Sequence, residues 1–282
     1  YDNANQPHEV VRWLHKLDTL GFDDALEPAD FTHSQTNPEF LALKARFSAR
    51  AVTKTPSQVA FTIDEPDLLP EGVAYDAVTK RLFVSSGAKR KILVIAQNGD
   101  VRDFIAPETG GIYAVLGLEV DEERRALWAA SAAAPFMAHA KPEDAGKSAV
   151  FQFDVDTGAL RRRYELPQAP SLANDLAIAQ DGTIYVSDSI RGTIAKLAPN
   201  AEKIEEIVPS DSFEGPNGIA ITPDEEGVVV ADMFGLSYFD RKTNRIQRIE
   251  PPDKRFPLGG IDGLVSAPNG LIAIQNLAGR GR

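Results

Sequence analysis

One short phrase recurs along the chain: EGVAYD at 71–76, NDLAI at 174–178, NGIAI at 217–221 and DGLV at 262–265. Each copy opens on a side chain that carries oxygen: Glu71, Asn174, Asn217, Asp262. A small or polar residue follows, then apolar ones. LGLEVD at 116–121 is a weaker fifth copy that opens on Leu116. The gaps between opening positions are 45, 58, 43 and 45 residues. Self-similarity at such a period marks a repeat architecture.

Between the copies the apolar pattern has a period of two. FTI at 61–63, RLFVSS at 81–86, KILVIA at 91–96, ALWAAS at 126–131, AVFQFDV at 149–155, TIYVSDS at 183–189, GVVVAD at 227–232 and LIAIQN at 271–276 read as strands. Turn residues separate many of them: Asn98-Gly99, Asp156-Thr157-Gly158, Asp181-Gly182, Asn269-Gly270. Each copy then holds four strands, and a 40–50-residue unit of four strands is a β-propeller blade. A β-sandwich with chance similarity between hairpins is the alternative. The fold class is therefore all-β, a propeller over 57–282.

Propeller topology places each opening residue at the start of the innermost strand, beside the central channel. Glu71, Asn174, Asn217 and Asp262 should converge there at one face. Four oxygen donors, two of them carboxylates, suit a hard cation: Ca²⁺ first, with Mn²⁺ or Mg²⁺ as alternatives. For any single one of them, an Asx residue capping a turn is the plainer reading. Four at one phase of four repeats favour the metal.

Composition removes other options. The net charge is −11, which argues against nucleic acid as a partner. No apolar run approaches the ~20 residues of a membrane-spanning helix. There are no cysteines, so thiolate metal sites, disulfides and a Cys nucleophile are excluded. A Ser–His triad would need a histidine, and only His139 lies in the propeller region. G-x-S-x-G and H-E-x-x-H are absent. The sequence opens on Tyr1 without Met, which a removed signal peptide would explain and which gives a slight preference for an exported protein over a cytoplasmic one.

The ordered pattern PEGVAYD…NDLAIAQDGTIYVSDS…PNGIAITPD…IDGLVSAPNG resembles the gluconolactonase family, which includes regucalcin. It is similar more distantly to the paraoxonases and to diisopropylfluorophosphatase. The resemblance covers roughly residues 66–276. It implies a six-bladed propeller with one catalytic divalent ion in the channel. It implies that Glu71, Asn174, Asn217 and Asp262 are the ligands from blades one, three, four and five, with Leu116 opening a blade that supplies none. In the family the residue matching Asp262 both binds metal and is implicated as base or nucleophile. The expected chemistry is hydrolysis of a lactone or related ester, or of a phosphotriester. The cation, for which Zn²⁺ is a further candidate, would polarise the carbonyl or activate water. Asp262 would act as general base or attack directly. Asp175, next to a ligand, is a further candidate acid or supporting group. The rival reading is a non-catalytic propeller with a structural ion and a ligand- or protein-binding face.

Loops between second and third strands open on the same face: 86–90, 132–147, 188–192 and 232–236, with the stretch from Asn276. The second is long and accounts for the one gap of 58; a loop of that length over a site reads as a lid or selectivity element. Phe136, Met137 and His139 are candidates to line the pocket, and Arg191 to meet an anionic substrate. Asp188 and Asp232 end second strands and are expected to bond to neighbouring loops. After Asp262 only 20 residues remain, enough for two strands. A sixth blade would need about 50–70 more at this period; a closed five-bladed ring is the alternative.

Residues 1–56 change period. Val10, Val11, Leu14, Leu17 and Leu20 recur at helical spacing before Gly21. Asn37-Pro38-Glu39 is a helix start, with Phe40, Leu41 and Phe47 as its apolar face. This segment reads as a short helical appendage. His8, His15 and His33 lie in it without ligand-like spacing.

Overall fold

A computed structural model describes residues 2, 4–19, 26–50, 58–251 and 258–275 of the chain. It divides into two compact units, residues 1–62 with 251–257, and residues 63–250 with 258–282.

The first unit carries two helices, α1 (Pro7–Thr19) and α2 (Pro38–Arg50). Asn37 caps α2: its side-chain oxygen accepts the N–H of Glu39 at 2.9 Å and of Phe40 at 3.1 Å. Val10, Val11 and Leu14 of α1 pack with Phe40, Leu43 and Phe47 of α2. The spacing 40, 43, 47 is one helical stripe, so Leu43 takes the place expected of Leu41, which falls on the exposed face. Gly21 and Leu20 lie outside the described residues. His15 pairs with Glu39 at 2.7 Å.

The second unit is a run of antiparallel sheets. The first holds β1 (Val73–Asp76), β2 (Arg81–Ser86), β3 (Lys91–Ile95) and β4 (Val101–Ile105). The second holds β5 (Ala114–Asp121), β6 (Ala126–Ala132), β7 (Ser148–Asp154) and β8 (Leu160–Glu165). The third holds β9 (Ala173–Ile178), β10 (Ile184–Asp188), β11 (Thr193–Leu197) and β12 (Glu205–Glu206). The fourth holds β13 (Ile219–Ile221), β14 (Gly227–Asp232), β15 (Gly235–Asp240) and β16 (Ile246–Ile249). A fifth has two described strands, β17 (Ile261–Ala267) and β18 (Gly270–Gln275). Each strand pairs with its sequence neighbour. The first strands of successive sheets lie side by side, β1 with β5, β5 with β9, β9 with β13 and β13 with β17. This is a β-propeller, with the small helical part preceding it.

The cores lie between sheets. Phe83 and Ile92 of the first pack with Leu127, Phe151 and Phe153 of the second. Trp128 and Val150 of the second pack with Val186 and Leu197 of the third. Tyr185 and Ile194 of the third pack with Val228 and Phe239 of the fourth. At the end away from the opening residues a bidentate pair adds to this. Arg125 donates to both oxygens of the fully buried Asp76, at 2.8 and 2.9 Å, and holds that carboxyl well below the usual carboxylate range.

One expected strand is absent. FTI at 61–63 forms no ladder, because no described strand lies beside it, and Val59 and Phe61 are exposed.

Inner strands meet backbone to backbone, and glycine at the second position of the repeated phrase allows it. A Cβ on Gly72 would fall on the carbonyl oxygen of Leu116. One on Gly218 would sit 2.8 Å from the backbone nitrogen of Leu264. At Gly263 the nearest described atom would be 4.0 Å away. Gly72→Ala and Gly218→Ala are therefore expected to destabilise the propeller by about 1–3 kcal/mol, the range for overpacking. Gly263→Ala should cost well under half of that. Urea denaturation of the three variants measures the difference.

Candidate functional site

The opening residues sit on irregularities of the inner strands. In β5–β6 the register shifts between Val115 and Leu118, so Leu116-Gly117 bulges out. In β9–β10 it shifts between Val186 and Asp188, so Asn174-Asp175 bulges in the same way. In β17–β18 it shifts between Ile261 and Gly263, at Asp262. A bulge re-aims a side chain out of the strand's alternation. Here it does so at one end of three inner strands.

Buried serines on the second strands bind backbone at the same end of the inner strands. Ser85 Oγ accepts the N–H of Gly72 at 2.7 Å. Ser131 Oγ accepts that of Tyr113 at 2.9 Å. Ser187 Oγ accepts that of Asp175 at 3.1 Å and donates to the carbonyl of Asn217 at 2.6 Å, joining the third sheet to the fourth.

Hydrogen bonds link three of the four predicted ligands, Asn174, Asn217 and Asp262. Asn217 Nδ2 donates to Asp262 Oδ1 at 2.6 Å. Asn174 Nδ2 donates to Ser189 Oγ at 2.8 Å, and Ser189 Oγ donates to the carbonyl of Pro216 at 2.6 Å, one residue before Asn217. Glu71 stands close enough to feel Asp262: its carboxyl is raised by desolvation and then by the Asp262 charge. Glu71 itself keeps an exposed surface, while the protein mass behind it desolvates the carboxyl. Each amide thus spends an N–H on a neighbour. Among the described residues neither amide oxygen takes a hydrogen bond. Two carboxylates and two such amide oxygens are a donor set that could hold a hard divalent cation. Among the described residues no three His, Asp or Glu side chains gather as a ligand group, so a cation here would depend on the asparagines.

Asp175 takes the second phrase position, where three of the other copies have glycine against the next sheet. Its Oδ1 accepts the N–H of Leu176 at 2.9 Å, and its Oδ2 that of Ile219 in β13 at 3.2 Å. Desolvation, helped by the Asp262 charge and opposed by these two N–H groups, pushes it up to about 7. Glu119 was not singled out from the sequence. Desolvation, then the Asp175 and Asp121 charges, push it up to about 8. Its signal lay in the repeat: the same phase holds Ala74, Ala177, Ala220 and Val265 in the other copies. A carboxylate there stands where the other copies put a small or apolar residue. Glu119 also borders a cleft of about 340 Å³ along β13 and the far halves of β9 and β17, away from the opening residues.

The surrounding loops sort the remaining candidates. The 133–147 loop leans onto the first sheet: Ala138 N–H donates to Ala88 O at 2.7 Å, and Arg90 donates to Ala138 O at 3.2 Å. Phe136 from this loop lies against Gly87, the same spot that Glu71 borders. Met137 is buried among Tyr113, Leu116 and Ala134 and is not free to line a pocket. His139 pairs with Glu108 at 2.6 Å, away from the opening residues. Arg191 is held by Glu206 at 2.8 Å and Ser210 at 2.6 Å, which occupies it. Asp188 accepts the N–H groups of Leu172, Ile190 and Arg191, and Asp232 those of Phe234 and Gly235; both bind loop backbone. Asn276 and its successors lie outside the described residues.

No family model and no curated protein matches the chain. Solved structures do. One is a catalytically inactive virginiamycin B lyase from Staphylococcus aureus, 13% identical, with a TM-score of 0.57, over 75% of this chain and 64% of that one. Another is a gluconolactonase from Xanthomonas campestris, 19% identical, TM-score 0.54, over 73% and 70%. A third is a nidogen/laminin complex, 16% identical, TM-score 0.55, over 70% and 67%. The fold is that of the β-propellers. At these identities the likeness extends to fold alone, and it reaches enzymes and a binding assembly alike. The chain spans about two thirds of the length of these structures.

Glu119 offers a test of the channel's electrostatics. Its ordinary value is 4.5 and its folded value about 8. Stability held below pH 4.5 is then lost as pH rises toward 8, because the unfolded chain ionises first. Glu119→Gln removes that loss. The variant is expected to gain stability over the parent at pH 9, relative to the same comparison at pH 4, by at least about 1 kcal/mol, less than one pKa unit's worth. Chemical denaturation at the two pH values reads it.

Proposed function

We propose that this propeller is a divalent-metal-dependent hydrolase of lactones or related esters, with Ca²⁺ as the first candidate ion. The observation that supports the reading is the 2.6 Å hydrogen bond from Asn217 to Asp262 at one end of the inner strands, with Asn174 tied in through Ser189 and Glu71 within reach of the Asp262 charge. The gluconolactonase among the structural neighbours supports the reaction class through fold. Glu71 and Asp262 would hold the ion with the side-chain oxygens of Asn174 and Asn217. When bound, it would supply a Lewis acid for the ester carbonyl and lower the pKa of attached water.

The protein's own groups then divide the work. Asp262 is the base: Asn217 Nδ2 steadies Oδ1, which keeps a lone pair that could face the ion, and Oδ2 would receive a proton from the attacking water. Direct attack by the same oxygen on the carbonyl is the variant of this step. Asp175 positions rather than touches substrate. Both its oxygens are engaged by backbone N–H groups, and it ties β9 to β13, the strand that Asn217 precedes. Ser189 and Ser187 fix Pro216 and Asn217 in the same way.

Asp262→Asn should lower kcat by about 10²–10⁴-fold on any lactone turned over, the usual worth of a general base. A lactone and aryl-ester panel run with Ca²⁺, Mn²⁺, Mg²⁺ or Zn²⁺ after chelation measures it. Full activity in that variant removes Asp262 from the mechanism. Binding of Ca²⁺ with no turnover across the panel would instead mark a ligand- or protein-binding propeller with a structural ion.

Ion binding has its own readout. Chelated protein returned to Ca²⁺ at a hundredfold excess over Kd should gain about 2.7 kcal/mol of stability. Glu71→Gln and Asn217→Ala should lose most of that gain. A metal-independent unfolding midpoint in the parent would sink the ion.

A further inference from the structure

The face that carries the opening residues also carries exposed apolar side chains, each placed beside one of them. Phe136, 49% exposed, lies against Gly87 next to Glu71. Ile190, 50% exposed, follows Ser189, the hydrogen-bond partner of Asn174. Met233 and Phe234, 62% and 72% exposed, follow β14, whose Ala231 accepts the N–H of Asn217. Single exposed apolar residues are ordinary. Here the loops of three successive sheets put them at corresponding positions around one group of oxygen donors, which is where an apolar patch has meaning.

The charged side chains of these loops point to the same chemistry. Lys89 is paired with Glu65 at 3.0 Å and Arg90 with Glu108 at 3.4 Å. Lys147 is paired with Asp144 at 3.0 Å and Arg191 with Glu206 at 2.8 Å. His139 is bound to Glu108, and Lys141 helps hold that same carboxyl down. Lys89, Arg90, Lys147 and Arg191 are thus each committed to a carboxylate. The large exposed side chains of the rim are apolar, with the exposed Glu214 beside Met233, and the site at its centre is acidic. Such a mouth suits an apolar substituent better than an anionic sugar derivative.

We infer that the rim formed by Phe136, Ile190, Met233 and Phe234 selects neutral lactones or esters that carry an alkyl or aryl substituent. The ring sits at the oxygen donors and the substituent lies across the rim. This rests on the hydrolase reading for its reaction, but its binding half can be measured without turnover.

The probes are δ-lactams bearing alkyl chains of zero to seven carbons, which keep the ring and carbonyl and resist hydrolysis. Calorimetry on the metal-loaded protein should show affinity rising by about twofold to fourfold per methylene, as burial of apolar surface requires. The double variant Phe136→Ser, Phe234→Ser should reduce the affinity ratio between the longest and the unsubstituted lactam at least tenfold. The ratio reports the rim rather than the amount of folded protein, since lost protein scales both equally. In parallel, kcat/KM for δ-dodecalactone should exceed that for glucono-δ-lactone. Turnover with no chain-length dependence, or with glucono-δ-lactone preferred, overturns the rim assignment and leaves the hydrolase standing. Chain-length-dependent lactam binding without hydrolysis of any lactone supports the rim and overturns the hydrolase.

Discussion

The propeller depends on how closely its inner strands approach. β1, β5, β9, β13 and β17 are the first strands of their sheets, and each lies against the next. At the contact one strand's backbone meets the other's: Gly72 against Leu116, Gly117 against Asp175 with its Cβ position 2.7 Å from that residue's Cα, Gly218 against Leu264. A side chain there would hold the sheets apart and open the cores between them, where Phe83, Phe151 and Phe153 are fully buried. Interiors packed to this density do not absorb an added methyl freely. The same approach puts the residue before each glycine at one end of the strands. The site is a by-product of the packing rule.

Asp175 shows what happens where the rule is broken. Instead of backbone on backbone, the third and fourth sheets meet through a carboxylate that accepts an N–H from β13. The exchange costs desolvation, and the group titrates near neutrality as a result. It also adds charge next to Asp262 and Glu119. The Asp262 charge raises both Asp175 and Glu71, and the Asp175 charge in turn raises Glu119. Like charges gathered this way are expensive unless a cation or protons compensate. A divalent ion among Glu71, Asp262 and the two amide oxygens would relieve the outer pair, while Glu119 and Asp175 can keep their protons.

Much of this could be read from residue spacing, for physical reasons. The phrase recurs because each sheet must solve the same contact, so its period reports the sheets and its first position reports the site. Strands with strong β-branched content, such as RLFVSS and GVVVAD, match β2 and β14 residue for residue. FTI had the composition of a strand and lacked a partner, which composition does not reveal. Leu41 is apolar and adjoins Phe40, but the helix counts by threes and fours and turns it outward. Met137 and His139 resembled Phe136 as loop residues near the site. What separates them is tertiary: one is enclosed by Tyr113 and Leu116, one is drawn to Glu108, and one is left against Gly87. The serines beneath the opening residues recur with the repeat too, at Ser85, Ser131 and Ser187, but their backbone partners are visible only in the fold.

Two places along the channel compete for the role of binding site, and their chemistry separates them. The cleft of about 340 Å³ along β13 and the far halves of β9 and β17 has volume, and its walls mix aliphatic side chains with Glu119, Gln180, Thr222, Glu225 and Ser266. The opening residues differ in how they are held. Their hydrogen bonds run in series from Ser189 through Pro216 and Asn217 to Asp262, so each donor is fixed by the one before. Groups held in this way need little reorganisation when charge develops beside them, which is what a catalytic site requires of its scaffold. The apolar side chains that a ligand would also need stand at this end, on the loops around the donors. Orientation and apolar contact therefore coincide at the mouth where the repeated phrase begins.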